Sequence, residues 1–155
     1  MNGASDQTQI RRTILIVDDQ RSVLVSLEYL LELMGYRALT AESGSAGIAL
    51  AEKETIDGAL IDIHMPVMDG FEVCVRLKAL VKTNGHPFKI WFMSAALSGK
   101  LKRRAFELGA IGALAKPFDF TTLSNWLEEG FLPQAPPSPT NSITNPAASE
   151  PDEDS

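Results

Sequence analysis

Gly58-Ala59-Leu60-Ile61-Asp62-Ile63-His64-Met65-Pro66-Val67-Met68-Asp69-Gly70 joins a short apolar run to a turn-rich loop, and Asp62 stands where one gives way to the other. Packing is a poor explanation for a carboxylate there, because burying an ionised group costs free energy unless it is paired. Other apolar runs of the chain end in the same manner. Ile14-Leu15-Ile16-Val17 leads into Asp18-Asp19, Trp91-Phe92-Met93 into Ser94, and Leu114-Ala115 into Lys116-Pro117.

The apolar pattern around these points alternates in type. Continuous runs at Ile14–Val17, Ala59–Ile63, Ile90–Met93 and Ala113–Ala115 read as strands buried on both faces, as in a parallel sheet. A weaker strand is expected at Arg37–Thr40, after Gly35-Tyr36. Between the strands, Leu24, Leu27, Leu31 and Met34 recur at helical spacing, with Gly35 as the residue that ends the helix. Phe71, Cys74, Leu77 and Val81 do the same, as do Leu97, Leu101, Ala105 and Leu108 before Gly109. Further helices are expected over Ser45–Glu54 and Phe120–Glu129, the latter with Leu123, Trp126 and Leu127 inward. Strand and helix in strict alternation predict an α/β fold with a doubly wound parallel sheet. Ligands of such sheets bind at the carboxyl ends of the strands, near the point where the winding reverses. Asp18, Asp19, Asp62, Ser94 and Lys116 all fall at such ends.

The chain has 155 residues, enough for one domain with a real core, and its hydrophobic fraction of 45% is ordinary for a globular protein. No segment approaches the roughly 18 consecutive apolar residues of a membrane span. Residues 1–11 read as a polar lead-in without the apolar stretch of a secretory signal. A lone cysteine, Cys74, excludes an intramolecular disulfide and a cysteine-rich zinc site. These features point to the cytoplasm, with no membrane insertion.

Net charge is −6, and it is unevenly spread. From Pro133 onward Glu150, Asp152, Glu153 and Asp154 carry −4 with no lysine or arginine, which leaves −2 for the remainder. No global basic field favours direct binding to nucleic acid. Lys100, Lys102, Arg103 and Arg104 form a small basic cluster that reads as a solvated helix face. The stretch 133–155 holds six of the nine prolines and almost no large apolar residue, so it is expected to be a disordered acidic tail with no output domain. The folded domain is expected over 12–132.

The chemistry follows from residue types. Asp18, Asp19 and Asp62 cannot crowd together without a counter-ion, because like charges raise each other's pKa. Mg2+ takes hard oxygen ligands and is commonly held by one or two carboxylates plus a phosphate. A competing reading makes Asp18 or Asp19 a cap for the helix beginning near Arg21. Asp62 is the candidate nucleophile, since a carboxylate can accept a phosphoryl group as an acyl phosphate. Lys116 would neutralise phosphoryl charge and Ser94 would donate a hydrogen bond to it.

Val17-Asp18-Asp19, the Asp62–Gly70 run, Ser94-Ala95 and Lys116-Pro117-Phe118 together resemble the receiver domain of two-component response regulators, over about 13–132. The resemblance implies a flavodoxin-like fold of five parallel strands in the order 2-1-3-4-5. It implies a phosphorelay switch in which Asp62 accepts a phosphoryl group from a sensor histidine kinase or a histidine phosphotransfer protein. Asp18, Asp19, Asp62 and the main-chain carbonyl of His64 would hold Mg2+, and Ser94 and Lys116 would contact the phosphoryl group. Lys116–Pro117 would be cis. Such a protein modifies only itself and is not otherwise an enzyme; its output would run through contact with a protein target.

The chain departs from the family pattern at one place. Where the family usually has an aromatic residue three before the lysine, this chain has Ala113. Ser94 would then shift the loop over residues 95–100 with no aromatic ring following it. His64 and Ala96 would flank the phosphoryl group and govern water access. Two other functions stay open. A Mg2+-dependent phosphohydrolase would use Asp62 as nucleophile, although His64 stands where such an enzyme usually has its general acid. A phosphorylation-independent interaction module draws its support from Ala113.

Overall fold

The computed structural model describes residues 11–132. The expected lead-in, but for its last residue, and the acidic tail lie outside these residues. Five strands, β1 (Thr13–Val17), β2 (Arg37–Ala41), β3 (Gly58–Asp62), β4 (Lys89–Ser94) and β5 (Gly112–Ala115), form one parallel sheet in the order β2-β1-β3-β4-β5. The helices between and after them are α1 (Arg21–Leu33), α2 (Gly44–Lys53), α3 (Gly70–Asn84), α4 (Gly99–Glu107) and α5 (Phe120–Phe131). This is the expected doubly wound sheet in the expected strand order.

Alternate residues of each strand serve opposite faces. Leu15, Val17, Ala59, Ile61 and Phe92 pack with Ala51, Val73, Cys74, Leu77 and Ala105 from α2, α3 and α4. Ile14, Ile16, Leu60, Trp91 and Met93 pack on the other face with Leu24, Leu27, Leu31, Leu123 and Leu127 from α1 and α5. Strands β1 and β3 lie inside the sheet and are buried throughout, which is why they read as unbroken apolar runs. Edge strand β2 keeps four of its five residues partly or wholly exposed, and its sequence signal is correspondingly weaker.

Helix ends follow local chemistry. Ser43, Asp69, Ser98 and Asp119 each accept a hydrogen bond from a main-chain N–H of the first turn of α2, α3, α4 and α5. Gly35 ends α1 as expected, at φ 95°, with its N–H on Glu32 and the Tyr36 N–H on Leu31. Several bounds differ by a residue or two from the sequence reading. Helix α4 begins at Gly99 because Ser98 caps it, so Leu97 packs from the preceding loop rather than from the helix. Trp126 of α5 is only partly buried, unlike Leu123 and Leu127.

The chain leaves β1 toward β2 on one side of the sheet and returns through β3, β4 and β5 on the other. The winding therefore reverses between β1 and β3, which opens a crevice above their carboxyl ends. Among the described residues no helix is long and apolar enough to cross a membrane.

Candidate functional site

Ladder bonds that continue past the strands fix the chain at Asp18, at Ile63 just after Asp62, and at Lys116. The Asp18 N–H donates to the Ala41 carbonyl at 3.1 Å, the Ile63 N–H to Met93 at 2.9 Å, and the Lys116 N–H to Ser94 at 2.8 Å. Parallel register sets the depth, with Val17 beside Ile61, Asp62 beside Met93 and Ser94 beside Ala115. All five expected residues thus reach one edge of the sheet, three of them on the strands flanking the reversal.

Asp18, Asp19 and Asp62 present carboxylate oxygens that all lie within 4.8 Å of one another. Asp18 and Asp62 are buried and Asp19 is exposed. Capping does not account for the pair Asp18-Asp19: Gln20 is the N-cap of α1, with no side-chain cap bond, and Asp18 Oδ1 accepts instead from the Gln20 N–H at 2.9 Å. Lys116 answers part of this negative charge. Its Nζ donates to Asp18 Oδ2 at 2.8 Å and lies 3.3 Å from Asp62 Oδ1.

Burial pushes the Asp62 carboxyl above its ordinary value, and the charge of Asp18 pushes it further, while Lys116 pulls it back. For Lys116, burial works against the charged form, but the hydrogen bond to Asp18 and the charges of Asp18 and Asp62 outweigh it and hold the ammonium above its usual range. One lysine therefore does not balance three carboxylates. The donor set is all oxygen, converging and partly open to solvent through Asp19, which fits a hard divalent cation.

Ser94 is fully buried, and its Oγ accepts from the Ala96 N–H at 3.0 Å. His64 is exposed in the loop between β3 and α3, two residues past Asp62. The Lys116–Pro117 peptide is cis, as expected.

The loop from Ile63 to Asp69 contains features that residue types alone did not disclose. Val67 has φ 68° and is fully exposed, and the N–H of Met68 reaches back to Pro66 at 2.7 Å around it. Gly70 lies against the last turn of β3. A Cβ there would collide with the Asp62 carbonyl oxygen, and the Gly70 N–H donates to Ile63 at 2.9 Å. The Asp-Gly pair marked a turn in the sequence, but not that the helix starts in contact with the main chain of Asp62. Ala113 is half-buried and opens toward a hollow between α4 and α5 rather than carrying a ring.

The model of the response regulator receiver domain matches residues 14–128. The chain is 31% identical over 120 residues to sporulation initiation phosphotransferase F of Bacillus subtilis, covering 77% of this chain and 93% of that protein. It is 35% identical over 109 residues to the alkaline phosphatase synthesis transcriptional regulatory protein PhoP of the same species, covering 70% of this chain. The chain spans only 44% of that regulator's length. Among solved structures, chemotaxis protein CheY4 of Vibrio cholerae superimposes with a TM-score of 0.72 at 30% identity, covering 79% of this chain and 100% of CheY4.

Proposed function

We propose that this chain, which belongs to the response regulator receiver domain family by its match over residues 14–128, is a phosphoacceptor switch of a two-component phosphorelay, with Asp62 as the acceptor and a receiver domain that extends over 12–132. The observation that carries the reading is the placement of Asp62. Its carboxylate is buried at the reversal of the sheet, beside two further acids and within 3.3 Å of one lysine.

A carboxylate oxygen of Asp62 forms the new O–P bond as the P–N bond of a phosphohistidine breaks. The electron pair of that bond stays on the departing imidazole nitrogen, which takes a proton from solvent. Asp18, Asp19 and Asp62, with the His64 carbonyl, would hold Mg2+, which would supply positive charge against the transferred oxygens. Lys116, already between Asp18 and Asp62, would pair with a phosphoryl oxygen on Asp62. The Ser94 hydroxyl donates to another phosphoryl oxygen. Turning toward it, Ser94 Oγ gives up the Ala96 N–H, and the loop ahead of α4 is released from its present bond. That release would carry the signal without an aromatic ring at position 113.

The donor is a sensor histidine kinase or a histidine phosphotransfer protein, and the output is contact with a protein target. The protein acts on itself alone, in the cytoplasm. Incubation with phosphoramidate and Mg2+, read by intact mass, tests the assignment against its rivals. A labile one-phosphate adduct is expected. Multiple turnover of a phosphomonoester such as p-nitrophenyl phosphate would make the protein a hydrolase, and no adduct at all would make it an inert module.

A further inference from the structure

The α4–β5–α5 face combines two features that the phosphoacceptor chemistry leaves unused. One is an apolar hollow of about 200 Å³ lined by Ala105, Phe106, Ile111, Ala113 and Trp126, with Lys102 at its side. The small side chain of Ala113 leaves it open, and Phe106, 65% exposed, forms part of its wall. The other is cationic: Lys100, Lys102 and Arg103 are all exposed on α4. An exposed phenylalanine beside an apolar hollow and a basic helix face is a surface built for an occupant that is apolar at one point and acidic nearby.

The chain contains such a segment. Between Pro133 and Ser155 the only large aliphatic residue is Ile143, and Glu150, Asp152, Glu153 and Asp154 follow it with no lysine or arginine in the whole stretch. We propose that this segment docks on its own domain, with Ile143 seated in the hollow beside Ala113 and the acidic run lying along Lys100, Lys102 and Arg103.

Reach permits it. Trp126 and Leu132 are separated by about 9 Å along α5, at 1.5 Å per residue. Ile143 is about 11 residues beyond Leu132, a span of up to about 36 Å when extended. The acids then fall seven to eleven residues past Ile143, far enough to return along α4 from the hollow. Charge complementarity selects this occupant over other parts of the chain: outside this stretch the net charge is only −2, and its acids are dispersed among bases. The contact requires no phosphoryl group and stands or falls separately from the assignment of Asp62.

A nitroxide on Ser149→Cys in the isotope-labelled full chain tests it, since Cys74 is fully buried and escapes labelling. Paramagnetic broadening is expected on the amides of residues 100–106 and 111–113 and on the Trp126 indole. It should vanish when Glu150, Asp152, Glu153 and Asp154 are changed to Gln or Asn, and in about 1 M salt, where the Debye length is about 3 Å. Ile143→Ser, which leaves every charge in place, should also abolish it. Broadening spread evenly over the domain, or unchanged by neutralisation, would overturn the proposal. Broadening that survives Ile143→Ser would overturn the seating in the hollow. Equal broadening from a spin-labelled chain onto a separate isotope-labelled one would assign the contact to a second copy and overturn docking in cis.

Discussion

Lys116 Nζ lies 2.8 Å from Asp18 Oδ2 and so ties the end of β5 to the end of β1 across the two strands between them. The residues are 98 positions apart, and the pair is largely shielded from water, with the Asp18 side chain fully buried and Lys116 14% exposed. Removing one partner of such a pair leaves the other charge uncompensated. Lys116→Met should therefore cost about 2 kcal/mol of stability in chelator at neutral pH. Urea unfolding monitored by Trp fluorescence checks this, and an unchanged midpoint would show that solvent already screens the pair.

Asp62→Asn should act in the opposite direction. The wild-type carboxyl is held above its usual range by burial and by Asp18, so its charge opposes folding when no cation is bound. Neutralising it should raise the stability of the metal-free protein. The same change replaces a charged carboxylate of the converging set with a neutral amide, so the rise in Tm on adding Mg2+ should shrink. For the wild type that rise corresponds to about 2.7 kcal/mol at a hundredfold excess over Kd. Thermal unfolding of both proteins in chelator and in Mg2+ decides it; identical Mg2+ responses would remove Asp62 from the ligand set.

Gly70→Ala should be among the most damaging substitutions outside the core. The added methyl meets the Asp62 carbonyl and the Ile63 main chain, none of which can turn aside as a side chain can. A loss of about 2–3 kcal/mol is expected, together with a weakened Mg2+ response because Asp62 itself is displaced. A stability loss with an intact Mg2+ response would mean that the strain is absorbed by α3 instead.

Val67→Gly should stabilise. A β-branched residue at φ 68° is strained by about 1–3 kcal/mol, and the exposed side chain has little contact to lose. Glycine returns part of that through a freer unfolded chain, leaving a gain of about 1 kcal/mol. A lower denaturation midpoint would show that the turn at residues 66–68 depends on the valine.

The strand ends were legible because a polar residue closing an apolar run is visible one residue at a time. Asp18, Asp19, Asp62, Ser94 and Lys116 were found that way, and the sheet brings them together. The Lys116–Asp18 bond was not, since it reaches across two intervening strands and depends on the order of the whole sheet rather than on either residue's local sequence. Whether Asp18 or Asp19 capped α1 could not be settled by type either, because aspartate suits both roles; Gln20 takes the cap position instead. Ala113 is visible in the sequence as a missing ring, but the hollow it leaves is walled by Phe106, which falls outside the helical period, and by Trp126, which reads as an ordinary inward residue. His86 sets its ring 3.2 Å from Asp57, whose other oxygen accepts the Thr13 N–H, a contact joining segments far apart in sequence.

Locating the phosphoryl group tests the central claim most directly. After reaction with phosphoramidate and Mg2+, proteolysis and tandem mass spectrometry should place one hydroxylamine-sensitive phosphate on the peptide containing Asp62, and Asp62→Asn should take none. A hydroxylamine-resistant phosphate on another residue, or an adduct that persists in Asp62→Asn, would contradict the account.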